Sequence, residues 1–385
     1  MERVGKRRVR RHHPDLERTK ELFEAYEPGA GEAERYLETS RENYEVGMKH
    51  FVYEDRSRLR DYVDLDVARH ARLTLLGSMQ GHVENYFDHP RLQQIMQYTL
   101  VFLGGSPSNT PALYNLMSHV DFNLGVWYPD GGIGAVIDAV AALGGELGVE
   151  YETGRPVSEI KGREGAFLET PDGPIRADLV VSNADYAHTE RELLTPERRG
   201  YDADYWESRT YALCILALSG RRGRGRRTRP PHARPPAEWE DHFDRIFEEP
   251  AWPEDPAYYL CVPSETDDSV APDGHSALFV LVPIAPGLED TPEIRDRYRE
   301  KILADIAENT GADLRDRIVL EERFCIEEFA DRYNSFQGTA LDWRTLRQTS
   351  LFRPPHRSEA VDGLYFVGGD TTPESGCRCV SSAAS

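Results

Sequence analysis

Two glycine-rich segments contain the residue types that hold nucleotide cofactors. Gly132-Ile-Gly134 follows a short apolar stretch and opens a helical pattern, while Gly368-Gly369-Asp370 follows the apolar segment LYFV near the end of the chain. Glycine lets a backbone N–H approach a phosphate closely, and a helix N-terminus favours negative charge. A dinucleotide fingerprint would have its third glycine where Ile137 stands, so the first segment also fits an ordinary turn before a helix.

A pair of polar residues precedes another helical pattern in the middle of the chain. Asn183 and Asp185 stand in SNAD, ahead of a helix predicted to begin near Tyr186. Both side chains can accept a hydrogen bond from a helix N-terminus, so they fit an N-cap as well as a turn beside a cofactor. The sequence leaves these two interpretations open.

Acid–base and metal chemistry receive less support from the sequence. Isolated histidines stand at positions 119, 188 and 275, and we assign no acid or base among them. The catalytic residues therefore stay unassigned. Cys377 and Cys379 lack further ligands at metal-site spacing, so no metal site is predicted.

The elements that must position these residues follow from hydrophobic periodicity. Residues 15–50 have apolar positions three and four apart, which predicts two amphipathic helices separated by a Pro28–Gly29 turn. Residues 60–117 continue mainly helical, and LQQIMQYTLVFLGG within them fits a core or a wall facing an oily ligand, with the core favoured. From Val126 the pattern predicts a strand, a glycine turn, a helix and several short strands. Further along, it predicts two strands over 257–283, a helix over about 291–310 and a buried strand in GLYFV.

The composition limits the class of protein. A length of 385 residues suits about two domains, and the content of 39% hydrophobic and 29% charged residues is typical of globular proteins. No stretch approaches the roughly 20 uninterrupted apolar residues of a spanning helix, so neither a membrane span nor a signal peptide is predicted. The five cysteines are scattered, which favours reduced thiols and a cytoplasmic location.

The charge is negative overall but unevenly distributed. The formal net charge is −21, yet residues 1–13 hold six Arg or Lys and residues 220–237 hold seven Arg without an acid. Outside these two windows acidic residues outnumber basic ones two to one, which is typical of halophilic proteins and disfavours nucleic-acid phosphates. We therefore expect no nucleic-acid partner, although the Arg-rich segment alone would fit a basic arm for nucleic acid or an anionic membrane.

Four segments together resemble a known family. They are YPDGGIGAVIDAV from Tyr128, ADLVVSNADYAHTERELL from Ala177, YLCVPSETDDSVAPDGHSALFVLVP from Tyr259 and LYFVGGDTTP from Leu364. In this order they resemble the phytoene desaturase (carotenoid desaturase) family, over about residues 15–219 and 238–373. The resemblance implies an α/β, glutathione-reductase-type FAD-binding fold with an inserted α+β substrate domain. It also implies dehydrogenation of a long polyene such as phytoene, by hydride transfer to FAD, peripherally at a membrane surface.

The resemblance assigns the C-terminal glycine segment to the flavin. Gly368, Gly369, Asp370 and Thr371 match the family's C-terminal flavin motif, where backbone N–H groups and a short acid meet the ribitol and pyrophosphate. Val157, in the predicted strand VSEI, matches a position whose backbone meets adenine.

The remaining implied cofactor residues come from two other segments. Gly131, Gly132 and Gly134 match the family's loop near the isoalloxazine ring, and Asn183 and Asp185 match a turn beside the flavin. Hydride abstraction depends on the cofactor's electronics and on substrate positioning, so the family's reaction needs no dedicated acid–base pair.

The resemblance also divides the chain into segments. We expect a mainly helical substrate or lid region over 14–125, FAD-domain segments over 126–200 and 331–373, and the substrate domain over 201–330. The basic segments 1–13 and 220–237 and the tail 374–385 depart from the family. With permitted codons, the tail rereads in a neighbouring frame as GIGVPMCLISGE, and residues 228–236 reread as LAHHTLVLP, so we expect all three to be out of frame.

A further departure concerns the start of the family pattern. Members begin with a βαβ unit bearing G-x-G-x-x-G, and nothing like it precedes Asp15, so the sequence predicts that this N-terminal Rossmann unit is lacking. Two hypotheses follow. One is an active desaturase, and the other is a non-catalytic remnant of a damaged reading frame.

Overall fold

The computed structural model describes most of the chain between residues 10 and 371. The predicted flavin residues Gly369 and Asp370, the cysteine pair Cys377 and Cys379, and the tail 374–385 lie outside the described residues. The described ranges are 10–12, 16–28, 31–48, 77–100, 104–162, 166–207, 214–223, 232–234, 239–340, 354–368 and 371.

Helices occur along the whole described part of the chain, between strands that form four sheets. In chain order they are α1 Leu16–Tyr26, α2 Gly31–Gly47, α3 Met79–Glu84, α4 Pro90–Gln97, α5 Leu116–Ser118, α6 Gly132–Glu146, α7 Tyr186–His188, α8 Ala203–Glu207, α9 Trp239–Phe247, α10 Pro292–Thr310 and α11 Ile326–Tyr333. Wider π-helical turns extend α5 and α7 over His119–Leu124 and Thr189–Leu193, and short 3-10 turns include Asp268–Val270 and Phe336–Gly338.

The strands are mostly short. They are β1 Arg10–His12, β2 Val126–Tyr128, β3 Glu159–Lys161, β4 Ala166–Glu169, β5 Ile175–Ala177, β6 Val180–Ser182, β7 Cys214–Gly223, β8 His232–Arg234, β9 Tyr258–Cys261, β10 His275–Ile284, β11 Ile318–Phe324 and β12 Leu364–Phe366. The predicted helix pair α1 and α2, the helix starting at Gly132, the strands β9 and β10, the helix α10 and the buried strand β12 are confirmed.

A five-stranded antiparallel sheet forms one core with the long helix α10. Its strand order is β11-β7-β10-β9-β8, and β10 pairs with β9 through Phe279 opposite Cys261. The Thr291 hydroxyl accepts a hydrogen bond from the Ile294 N–H, 3.3 Å away, and caps the helix start. The apolar face of α10 packs on the sheet because both are buried there; the shared core includes Tyr298, Ile302, Leu303, Ile306, Val280, Val282 and Ile284.

The Arg-rich segment begins inside this sheet. Residues 220–223 belong to β7, where Gly223 pairs with His275 and Gly220 with Leu278 of β10. Residues 232–234 form β8 and pair with β9. Part of the segment that alone would fit a basic arm therefore has strand backbone, because β10 supplies backbone partners to β7 and β9 supplies them to β8.

A second core surrounds a parallel strand pair. Strands β6 and β12 run parallel, with Val180 opposite Leu364 and Ser182 opposite Phe366. Strands β3, β4 and β5 form an antiparallel sheet beside them. Strands β6 and β12 are separated by more than 180 residues, so their pairing joins two distant segments among those in which the sequence predicted flavin residues.

The N-terminal helices form a third core of their own. It includes the buried side chains of Leu92, Met96 and Leu100, which lie in the segment LQQIMQYTL. The interpretation of that segment as core is confirmed at these three positions. Aromatic rings dominate the rest of this core, with Phe23 and Phe87 packed edge to face at 5.4 Å between centroids.

Helix α6 differs from the other long helices because its apolar side chains lie at the surface. Ile137 is 66% exposed and Leu147, just after the helix, is 76% exposed. The exposed apolar positions run along the whole helix and include Ile133, Val136, Val140 and Leu143. A helix with apolar residues on all sides is normally enclosed by protein or lipid, so this surface is unusual for a globular fold.

Candidate cofactor site

The carboxyl ends of the parallel strands β6 and β12 place two predicted flavin segments side by side. The ladder continues one residue beyond the strands, where the Val367 N–H donates to the Ser182 carbonyl at 2.9 Å. Asn183 and Gly368 are the next residues on each side. In open α/β sheets, ligands bind at this edge, outside the carboxyl ends of the strands.

Gly368 occupies a backbone conformation that other residues rarely adopt. Its φ is +127°, and a Cβ atom built there would lie 3.3 Å from the Asn183 Oδ1 atom. The buried Thr371 hydroxyl donates to the Gly368 carbonyl at 3.0 Å, which closes the turn that follows β12. The strand edge therefore ends in a glycine turn whose backbone a ligand can approach closely.

Two stacked aromatic side chains lie in the core around these strands. The rings of Tyr186 and Phe366 are stacked, with centroids 3.8 Å apart and planes 10° apart. Both belong to the core that contains Val180 and Leu364, and Val157 packs against the same core. Val157 therefore packs against the same core as the two strands, although β3 begins two residues later than the predicted strand.

Asp185 uses both carboxylate oxygens for backbone contacts. Oδ1 accepts from the His188 N–H at 2.8 Å, which makes Asp185 the N-cap of α7, and Oδ2 accepts from the Phe336 N–H at 3.1 Å. Burial raises the pKa of this carboxyl above its ordinary value, and these two N–H donors partly oppose that rise. The N-cap interpretation describes the contacts seen here, and the carboxylate also links β6's loop to the turn at Phe336.

The other predicted glycines form a separate corner at the start of α6. Gly131 and Gly132 both have positive φ, +85° and +79°, and Gly134 follows within the first helical turn. The Gly131 N–H donates to the Asp267 Oδ2 atom at 2.8 Å. This corner therefore contacts the loop between β9 and β10, which belongs to the five-stranded sheet.

Sequence reasoning missed two partners of the predicted residues. Asp267 lies inside the segment YLCVPSETDDSVAPDG, and its Asp-x-Ser spacing is a signal for a carboxylate that caps its own turn. Phe336 contributes only a backbone N–H to Asp185, and no side-chain pattern can reveal that contact. Both contacts join residues more than 130 positions apart.

The described residues also bear on metal binding and on membrane spans. Within the described ranges, no group of three or more His, Cys, Asp or Glu side chains is arranged to hold a metal ion. None of the described helices combines the length and the apolar character needed to cross a membrane.

The strand edge fits one end of a flavin dinucleotide. Its features are a positive-φ glycine, an exposed amide side chain at Asn183 and a buried hydroxyl that fixes the turn. Glycine at this position leaves room that a Cβ would fill, and a diphosphate needs such close backbone approach. The backbone at Gly368 and the amide of Asn183 therefore have the chemistry that such a group requires.

The comparisons with known proteins give the class of protein, which is a flavin-dependent oxidoreductase. The model of the family "Flavin containing amine oxidoreductase" matches residues 12–384. The chain therefore belongs to the flavin containing amine oxidoreductase family, and its cofactor is FAD. Within that family it is a member of the phytoene desaturase group, as the sequence resemblance predicted.

Three relatives support the narrower assignment. A carotenoid 3,4-desaturase from Haloarcula japonica is 63% identical over 366 residues, which cover 93% of this chain and 74% of the relative. A zeta-carotene-forming phytoene desaturase from Myxococcus xanthus is 31% identical, over 93% of this chain and 71% of the relative. A phytoene desaturase from Neurospora crassa is 28% identical, and the chain spans 62% of its length.

Solved structures support the fold alone. An oxidoreductase from Methanosarcina mazei superimposes with a TM-score of 0.53 at 17% identity, over 83% of this chain and 69% of that protein. A putrescine oxidase variant gives a TM-score of 0.53 at 12% identity, over 97% of this chain and 84% of that protein. An FAD-binding α/β fold is therefore confirmed.

Proposed function

We propose that this chain dehydrogenates a CH–CH bond of a long polyene of the carotenoid class, with FAD as the hydride acceptor. The observation that carries the proposal is the 63% identity to a carotenoid 3,4-desaturase over 93% of the chain. The glycine edge at β6 and β12 supports it, because its residues suit the cofactor that such a reaction requires.

The chain's own contribution to the reaction is binding and positioning. Bound FAD supplies the electron chemistry. As the resemblance implies, Gly368 would meet the polar part of FAD, Asn183 would lie in a turn beside the flavin, and the Val157 backbone would meet the adenine. The corner at Gly131 and Gly132 would border the reacting ring. Neither the sequence nor the geometry supports an assigned proton acceptor, so we leave the catalytic residues unassigned.

The proposed substrate is oily, and this bears on where the protein works. A long polyene partitions into lipid, so an enzyme acting on it must reach a membrane surface. We therefore propose peripheral contact with the cytoplasmic face of a membrane. Flotation of the protein with liposomes of anionic lipid, with and without a dissolved polyene, tests this proposal.

A second candidate, a non-catalytic remnant, is favoured by one observation. Helix α6 exposes apolar side chains along its length, and Val181 of the two-stranded β6–β12 sheet is 58% exposed. Parallel strands normally lie in larger sheets that are covered on both faces. The prediction that parts of the chain are out of frame is consistent with these surfaces and stays a prediction; translating the sequenced coding DNA in all three forward frames tests it.

Flavin uptake separates the two candidates. The chain is expressed and purified in high salt with FAD, and its absorption spectrum is compared with those of Gly368→Ala and Gly173→Ala. Both glycines have positive φ, +127° and +107°, but only a Cβ at Gly368 meets a neighbour, the Asn183 side chain. The two variants therefore share the backbone strain and differ in their place relative to the proposed site.

The desaturase proposal predicts stoichiometric flavin in the chain and in Gly173→Ala, and loss of flavin in Gly368→Ala. Incubation with phytoene or a longer polyene in liposomes should then shift the polyene's absorption to longer wavelength. A soluble chain without flavin, or an insoluble chain, would favour the remnant.

A further inference from the structure

The glycine corner at the start of α6 is held by a carboxylate from another part of the fold. The Asp267 Oδ2 atom accepts the Gly131 N–H at 2.8 Å. The two residues are 136 positions apart, and Asp267 lies in the loop between β9 and β10. The contact therefore links the corner to the five-stranded sheet.

Asp267 is itself fixed by its own turn. Its Oδ1 atom accepts from the Ser269 N–H at 2.8 Å and from the Ser269 hydroxyl at 2.6 Å. Its backbone N–H donates to the Pro263 carbonyl at 3.0 Å. Because one oxygen and the backbone are already engaged, the second oxygen is presented to Gly131 in a set direction, so little entropy is lost when the contact forms.

The neighbouring residue Gly132 is enclosed from the same side. A Cβ atom at Gly132 would lie 3.3 Å from the Tyr128 hydroxyl and 3.7 Å from the Val270 Cγ1 atom. Burial raises the pKa of the Tyr128 phenol, and the nearby Asp267 carboxylate adds to the rise. The turn at Asp267 and the Tyr128 hydroxyl thus lie against a corner that has two successive positive-φ glycines.

We propose that Asp267 is a positioning residue that fixes the Gly131–Gly132 corner against the five-stranded sheet and thereby sets the affinity of the chain for FAD. The claim about FAD affinity rests on the proposed function, because only the family resemblance places this corner beside the flavin. The claim that Asp267 fixes the corner rests on the contacts alone.

The test compares Asp267→Ala and Asp267→Asn with Asp268→Ala, which removes an exposed neighbouring carboxylate. Amide hydrogen exchange of the full chain, resolved to single residues by mass spectrometry with fragmentation, measures protection of the Gly131 N–H without cofactor. Fluorescence titration measures FAD affinity. Loss of a charge-assisted hydrogen bond should speed exchange at Gly131 about tenfold or more in Asp267→Ala and weaken FAD binding by about the same factor.

Asp267→Asn should show smaller changes in both measurements, because an amide oxygen can still accept the Gly131 N–H. Asp268→Ala should behave as the unaltered chain. Unchanged exchange in Asp267→Ala overturns the proposal. Faster exchange with unchanged FAD affinity also overturns it, since the corner then does not serve the flavin. If the unaltered chain takes up no FAD, the proposed function fails, and the exchange rates still decide whether Asp267 fixes the corner.

Discussion

Replacement of Asp185 by alanine should destabilise the core around β6 and β12. The substitution removes the acceptor for two backbone N–H groups, those of His188 at 2.8 Å and Phe336 at 3.1 Å. A hydrogen bond to a charged group contributes about 1.5 kcal/mol or more, and loss of an N-cap alone costs about 1 kcal/mol. We therefore expect the free energy of unfolding to fall by about 3 kcal/mol.

The measurement is urea unfolding followed by tryptophan fluorescence. Trp206 is a suitable reporter because its ring lies 5.6 Å from that of Tyr186, the first residue of the capped helix. Asp185→Asn should lose less, about 1.5 kcal/mol, because its single amide oxygen can accept only one of the two N–H groups. Asp178→Ala, at an exposed aspartate close in sequence, should change stability by less than about 0.5 kcal/mol.

The result also separates the two interpretations that the sequence left open. A loss below about 1 kcal/mol in Asp185→Ala would refute the reasoning, since two buried N–H groups would then have found other partners at little cost. If the asparagine variant keeps its stability but loses FAD, the carboxylate has a role at the cofactor beyond the cap.

Three further changes have expected outcomes. Burial lowers the pKa of His242 in the folded chain from 6.5 to about 4, so between these pH values the unfolded chain binds an extra proton. The free energy of unfolding, measured with urea, should therefore be highest above pH 6.5 and fall by about 3 kcal/mol towards pH 4, and His242→Leu should remove that fall. Arg295→Met leaves the nearly fully buried Asp290 carboxylate without its bidentate partner and should cost about 3 kcal/mol, whereas equal urea midpoints would show the pair to be unimportant. Gly338→Ala would put a Cβ atom 2.6 Å from the Ile326 Cγ2 atom at a φ of +64°, so we expect a loss of about 3 kcal/mol or an unfolded product, by circular dichroism.

Local patterns explain which elements could be predicted. Helix α10 carries its own start in Thr291-Pro292 and its own stop in Gly311, where φ is +70°, so its bounds are readable without any partner. Strands β9 and β10 are close in sequence and flank a loop rich in turn residues. Such signals act within a few residues of the element that they define.

The contacts that build the site act over much longer separations. The parallel pairing of β6 with β12 is set by three residues on each strand, and many short apolar segments would pair equally well. The link from Asp185 to Phe336 depends on a backbone N–H, which every residue except proline offers. The family resemblance predicts that these segments lie near one flavin, but the sequence does not predict the hydrogen bonds between them.

Helix α6 shows why a correct local prediction can leave the larger structure open. The sequence predicted a helix after the glycine turn, and the helix is present, yet its apolar residues do not form a stripe that faces one core. An amphipathic helix specifies which side is buried, whereas an apolar helix specifies only that it is buried on several sides. In this chain the Gly131 N–H at the start of α6 donates a hydrogen bond to Asp267, while the side chains of Ile137 and Val140 lie at the surface. Under the proposed function, a partner that covered this surface would be apolar and would leave the corner at Gly131 accessible to the cofactor.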